Sequence, residues 1–172
     1  MHARKSFIRA GIFPVIALMT LLLACPSNQE QKQLGTGALD FSLTTIEGQE
    51  ISLKDYRGKK IVHLVFWATW CPGCLTEIPK LKELHQAIGN KPYEILAIDV
   101  GINDSLSRVR LFQERYQIPY KILFDEKGEV AGRYGVTGIP TQIVIDRDGN
   151  VQHRFTQLPG NTQGFLSQFF PS

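Results

Sequence analysis

Two cysteines three residues apart, Cys71 and Cys74, are the side chains here whose type and spacing point most directly to chemistry. They stand in Phe66-Trp67-Ala68-Thr69-Trp70-Cys71-Pro72-Gly73-Cys74, where an apolar run passes into a helical pattern. At a helix start, unpaired amide hydrogens and the positive end of the dipole meet the first cysteine. They favour its thiolate over its thiol. Pro72 suits the first helical turn, where a missing N–H leaves no bond unmade. A spacing of three carries the second sulfur onto the next turn, within disulfide reach. Cys71 is then the exposed nucleophile and Cys74 the resolving thiol of a redox pair. Two plainer readings compete. A static bridge over so short a loop constrains little of the unfolded chain. A zinc site usually takes four ligands, but there is no second cysteine pair, and His63, His85 and His153 show no ligand spacing. No metal and no other cofactor is expected.

The elements that position this pair follow from the patterning. Ile61 to Trp67 is a nearly continuous apolar run, the mark of a strand buried on both faces. A helix should run from about Pro72 to Ile88 and end near Gly89-Asn90. Tyr93 to Val100 reads as the next buried strand. Asp104 or Ser105 caps a helix carrying Leu106, Val109, Phe112 and Tyr116 at helical spacing. Lys121 to Phe124 is a short strand and Glu129 to Tyr134 a short helix. Thr141–Ile145 and Val151–Phe155 flank Asp148-Gly149, a strong hairpin signal. Phe41, Leu43, Ile51 and Leu53 alternate around Glu47-Gly48, a second hairpin. Thr162 to Phe169 reads as a last helix. Strands alternating with helices argue for an α/β layer fold, and the closing hairpin makes its sheet mixed.

With these elements in place, the segment resembles the thioredoxin fold. Three features carry the resemblance: Trp70-Cys71-Pro72-Gly73-Cys74, Pro79 five residues after the second cysteine, and Gly138-Ile139-Pro140 before a strand. In that family the proline is cis and its loop faces the dithiol. The resemblance implies that the backbone of Ile139 pairs with an extended substrate segment. Trp70, Pro72, Ile139 and Pro140 then form the expected partner-binding surface. More narrowly, residues from about Gly37 to Phe170 look like the membrane-tethered thiol-disulfide oxidoreductases of the TlpA/ResA/CcmG group. Phe41 to Lys59 matches the group's leading hairpin, and Asp104 to Phe124 its central αβ insertion. Plain thioredoxin carries an aspartate where this chain has Val65, so the proton carrier must come from elsewhere.

Glu77 is the candidate. At about 100° per residue it lies about 60° from Cys74 around the helix, among Leu81, Leu84 and Ile88. A carboxylate buried beside the resolving cysteine favours its protonated form, so it can hold or take a proton during exchange. The TlpA/ResA resemblance implies the same role. The plainer alternative is a surface glutamate at the helix edge. Trp67 reads as core, His85 as a core histidine, and Leu75 as pointing to the rim beside Cys71.

The formal charge of the chain is +3, but Arg4, Lys5 and Arg9 account for all of it. Residues 25–172 hold 16 basic and 16 acidic side chains, so bulk charge gives no case for nucleic acid. Those three cations precede an apolar run from Gly11 to Ala24, the pattern of a secretory signal. The alternative is an uncleaved transmembrane anchor, but the apolar part is short and Pro14 interrupts it. Leu22-Leu23-Ala24-Cys25 resembles the bacterial lipobox, which implies lipidation of Cys25. That leaves Cys71 and Cys74 as the free pair. The expected organisation is a signal peptide at 1–24, a lipidated tether at 25–37 reaching about 20 Å, and a thioredoxin-like domain at 38–172. The expected protein is an extracytoplasmic, periplasmic, membrane-anchored lipoprotein. The resemblance implies protein substrates carrying disulfides or thiols, such as apocytochrome c or metal-site assembly factors, and a membrane thiol-transfer reductant. Three rivals stand beside a disulfide reductase. One is a dithiol oxidant of the same fold. A second is a peroxiredoxin-like peroxide reductase, whose Pro-x-x-x-Thr-x-x-Cys pattern is not met because Thr69 lies only two residues before Cys71. The third is a non-catalytic tethered binding module.

Overall fold

The computed structural model describes residues 37–171. The expected signal peptide, Cys25 and the tether up to residue 36 lie outside the described residues.

Apolar β-branched and aromatic runs form the strands, and turn residues delimit them. In chain order these are β1 (Ser42–Thr44), β2 (Glu50–Ser52), a 3₁₀ turn (Leu53–Tyr56), β3 (Ile61–Trp67), α1 (Pro72–Ile88), β4 (Tyr93–Asp99), α2 (Leu106–Tyr116), β5 (Lys121–Phe124), α3 (Glu129–Arg133), β6 (Thr141–Ile145), β7 (Val151–Phe155) and α4 (Thr162–Ser167). The 3₁₀ turn was not expected. The last helix ends at Ser167 rather than Phe169.

The central sheet has the order β5-β4-β3-β6-β7. β3, β4 and β5 are parallel, β6 is antiparallel to β3, and β7 is antiparallel to β6. This is the thioredoxin-like α/β arrangement with a mixed sheet. β1 and β2 pair separately as a hairpin that leans on β5 through a Thr45–Leu123 bridge.

Strand alternation divides the core into two layers. Phe66 faces Tyr134, which stacks edge-on with Phe41 of the leading segment. On the other face, His63 meets Phe165 of α4 and Trp67 meets Phe112 of α2, while Val65 lies beside Cys74 and Glu77 of α1. Every residue of β3 is buried. Both ends of α1 are defined by sequence: Cys71 is the N-cap, Pro72 opens the first turn, and Gly89 is the C-cap. Ser105 caps α2 by accepting from the Arg108 amide at 3.3 Å. His85 corrects the expectation of a core histidine: it is exposed, one step around the helix from buried Leu84, with its ring 6.2 Å from Tyr120.

Candidate active site

β3 leaves the sheet at Trp67 and turns within four residues into α1. That turn places Cys71 at the helix N-cap, where its sulfur accepts from the Cys74 amide at 3.1 Å. Cys71 and Cys74 are joined as a disulfide with their Cα atoms 5.3 Å apart. Cys71 was expected to be exposed, but both cysteines are only 4% exposed. The cover comes from the loop opposite. The Ile139–Pro140 bond is cis, and the Ile139 carbonyl lies 3.7 Å from the Cys71 sulfur. Gly73 makes this approach possible, because a Cβ there would stand 3.3 Å from Pro140 Cδ. Trp70 and Pro72 remain exposed at the rim, and Leu75 is half-buried beside them.

A second loop braces the other side. Asp104 Oδ2 accepts from the Thr69 amide at 2.8 Å, and the Trp70 indole N–H donates to the Ile102 carbonyl at 2.7 Å. Behind this loop, Asp99 at the end of β4 is fully buried. Its Oδ1 accepts from the Gly101 amide at 2.9 Å. Burial pushes the Asp99 carboxyl up to about 7, the Gly101 amide opposes this, and the nearby Asp104 and Asp125 carboxylates add to it. The folded state therefore binds the Asp99 proton more tightly than the unfolded chain does. Stability from this group is full below about pH 4 and is lost as pH rises through 7. Asp99→Asn keeps the shape and removes the charge. It should raise unfolding stability by roughly 2–4 kcal/mol at pH 8 and by nothing at pH 3.5, as read from denaturant titrations at the two pH values.

Beneath the dithiol, Glu77 is 1% exposed, on the face that the helical angle indicates. Cys74, Glu77, Val65 and Pro140 line one cavity of about 10 Å³, room for a single water at most. The Glu77 carboxylate is fully partnered. Oε1 accepts from Lys80 Nζ at 2.7 Å, and Oε2 accepts from Gln142 Nε2 at 2.8 Å and from the Leu158 amide at 2.6 Å. A buried carboxylate needs such donors. Among the described residues, no cluster of three or more His, Cys, Asp or Glu side chains is arranged to hold a metal.

The structure thus brings Trp70, Cys71, Pro72, Cys74, Glu77, Ile139 and Pro140 into one region, and Cys25 lies outside the described residues. Sequence reasoning missed Asp99 and Gln142, and it read Asp104 only as a candidate helix cap, a place that Ser105 takes. A polar residue inside or ending an apolar strand, as in Asp99 of β4 and Gln142 of β6, was the available signal.

Comparison with known proteins agrees with this geometry. Residues 34–154 match the model of the AhpC/TSA family. The thiol-disulfide oxidoreductase ResA of Bacillus cereus is 38% identical over 125 residues, covering 73% of this chain and 70% of that protein. A thiol:disulfide interchange protein of the thioredoxin family from Chlorobium tepidum superposes with a TM-score of 0.64 at 31% identity, covering 76% of this chain and 90% of that one. The pneumococcal exposed lipoprotein thioredoxin Etrx1 of Streptococcus pneumoniae superposes with a TM-score of 0.65 at 26% identity, covering 78% and 100%. With its helix-capping Cys71–Cys74 disulfide, the chain belongs to the thioredoxin-like AhpC/TSA family and is a thiol-disulfide oxidoreductase of the ResA type.

Proposed function

We propose that this protein works outside the cytoplasm, tethered to a membrane by lipid on Cys25, and reduces disulfides in partner proteins. The observation that carries the reading is the Cys71 sulfur at a helix N-cap, facing the Ile139 carbonyl across the cis-proline loop. An extended partner segment laid along Ile139 presents its disulfide to Cys71. Trp70 at 48% and Ile102 at 58% exposure give that segment an apolar rim to dock on. The lipoprotein thioredoxin among the structural relatives supports the tether.

In the cycle, the Cys71 thiolate attacks one sulfur of the partner disulfide, a mixed disulfide forms, and the other partner sulfur leaves as thiolate. Cys74 gives its proton to Glu77 across the small cavity they share. The Cys74 thiolate then attacks the Cys71 sulfur, and the second partner thiol departs. Two electrons have passed to the partner, and Cys71–Cys74 is left as a disulfide. A membrane thiol-transfer protein restores the dithiol. Apocytochrome c and metal-site assembly factors are the partner classes this reading favours.

Direction is set by reduction potential, which spans about −270 to −120 mV among such folds. Equilibration with dithiothreitol should give a value near the reducing end, about −250 mV, and the chain should sediment with membranes unless Cys25 is replaced. A potential above about −150 mV would make it a dithiol oxidant instead.

A further inference from the structure

Glu77 is the end of a longer line of buried polar groups. Gln142 and His63 are both fully buried, within the largely apolar strands β6 and β3. In the β3–β6 register, Val65 opposes Gln142 and His63 opposes Val144. Gln142 and His63 are therefore diagonal neighbours on the face that carries α1. Gln142 Nε2 donates to Glu77 Oε2 at 2.8 Å, and Tyr93 Oη meets His63 Nδ1 at 3.1 Å. Two buried atoms between these bonds make no hydrogen bond: Gln142 Oε1 and His63 Nε2. Gln142 lies near enough to His63 to influence it, which makes these two atoms candidate partners for each other.

Only one assignment of protons satisfies every atom. A carboxylate is an acceptor only, so the Gln142 amide nitrogen must face Glu77 and its oxygen must face His63. Burial pushes His63 down to about 3, so the ring is neutral, with one donor and one acceptor. An amide oxygen accepts, so the proton sits on Nε2. Nδ1 then accepts from Tyr93, whose hydroxyl is kept protonated by burial. With that assignment the donors point one way: Tyr93 toward His63, His63 toward Gln142, and Gln142 to Glu77. Aligned hydrogen bonds in a low-dielectric core reinforce one another.

We propose that His63 and Gln142 are positioning residues for thiol–disulfide exchange, forming with Tyr93 a one-directional hydrogen-bond chain through the core that fixes the Glu77 carboxylate beneath Cys74. This rests on the proton-carrying role of Glu77 proposed above. The other groups facing Glu77 are Lys80 on its own helix and the Leu158 amide. Those facing His63 are His153 on β7 and the rings of Phe155 and Phe165. None of them supplies a second route from His63 to Glu77.

The test begins with the unaltered full chain, labelled with ¹⁵N at histidine and held in detergent. Nitrogen–proton correlation spectra should show His63 neutral from pH 5 to 8 with its proton on Nε2. A proton on Nδ1, or an imidazolium titrating in that range, overturns the proposal. The second arm follows the pH profile of mixed-disulfide resolution by Cys74. Gln142→Leu and His63→Phe should each slow resolution at pH 7 about tenfold and displace the profile, as loss of a hydrogen bond to a charged group does. His63→Gln, which still offers Gln142 a donor, should keep most of the rate. If Glu77→Gln slows resolution while Gln142→Leu and His63→Phe leave the profile unmoved, the chain is refuted and the role of Glu77 stands. If Glu77→Gln itself changes nothing, the role of Glu77 fails, and the histidine spectra still decide whether the chain exists.

Discussion

Cys74→Ala should stop exchange at the mixed disulfide, lowering turnover by at least about a thousandfold. Cys71 can still attack, but nothing adjacent can expel the partner. A covalent adduct should accumulate in membranes, run as a larger band on non-reducing gels, and vanish with dithiothreitol. Mass spectrometry of that band names the partner. Cys71→Ala should lose activity equally and capture nothing. If Cys71→Ala were to retain disulfide reductase activity, the pair would be a loop staple on a binding module. Peroxide consumption that survived Cys74→Ala would favour a peroxide reductase instead.

The largest effect on stability is expected at Gly101, some distance from the sulfurs. Its φ is +71°, in the left-handed region, and an added Cβ would stand 2.3 Å from the Asp125 carbonyl oxygen and 2.6 Å from that of Glu126. Both obstacles are backbone, so no side-chain rotation relieves them. Gly101→Ala combines left-handed strain with overpacking, together about 3–5 kcal/mol. The unfolding midpoint should fall by roughly 10 °C. Exchange should slow as well, because the same loop holds Thr69 and Trp70 through Asp104 and Ile102. Gly132→Ala is the control: nothing lies within 4 Å of its added Cβ, and its melting point should be nearly unchanged.

The contrast between Gly101 and the dithiol shows what a sequence can reveal. Strand Ile61–Trp67 and helix Pro72–Ile88 could be read residue by residue, because each is a long patterned run bounded by breakers. The burial of Glu77 was legible too, since helical angle is local arithmetic. Its partners were not. Gln142 on β6 lies 65 residues away and the Leu158 amide, beyond β7, lies 81 away, and only the sheet order β3-β6-β7 brings them within reach. The brace from Asp104 to Thr69 spans 35 residues and follows from the parallel pairing of β3 with β4. Local reasoning also erred where tertiary cover decides exposure. Cys71 is roofed by the cis-proline loop, and His85 lies exposed on α1.

One measurement bears most directly on the claim that Cys71 is the attacking sulfur of a reversible dithiol. The reduced full chain is pulsed with iodoacetamide at pH 7, quenched and digested, and the label on each cysteine is quantified by mass spectrometry. The expected result is label on Cys71 at least about tenfold faster than on Cys74, because the helix N-terminus favours its thiolate, with Cys74 labelled only after unfolding. Equal labelling of the two, or faster labelling of Cys74, would contradict it.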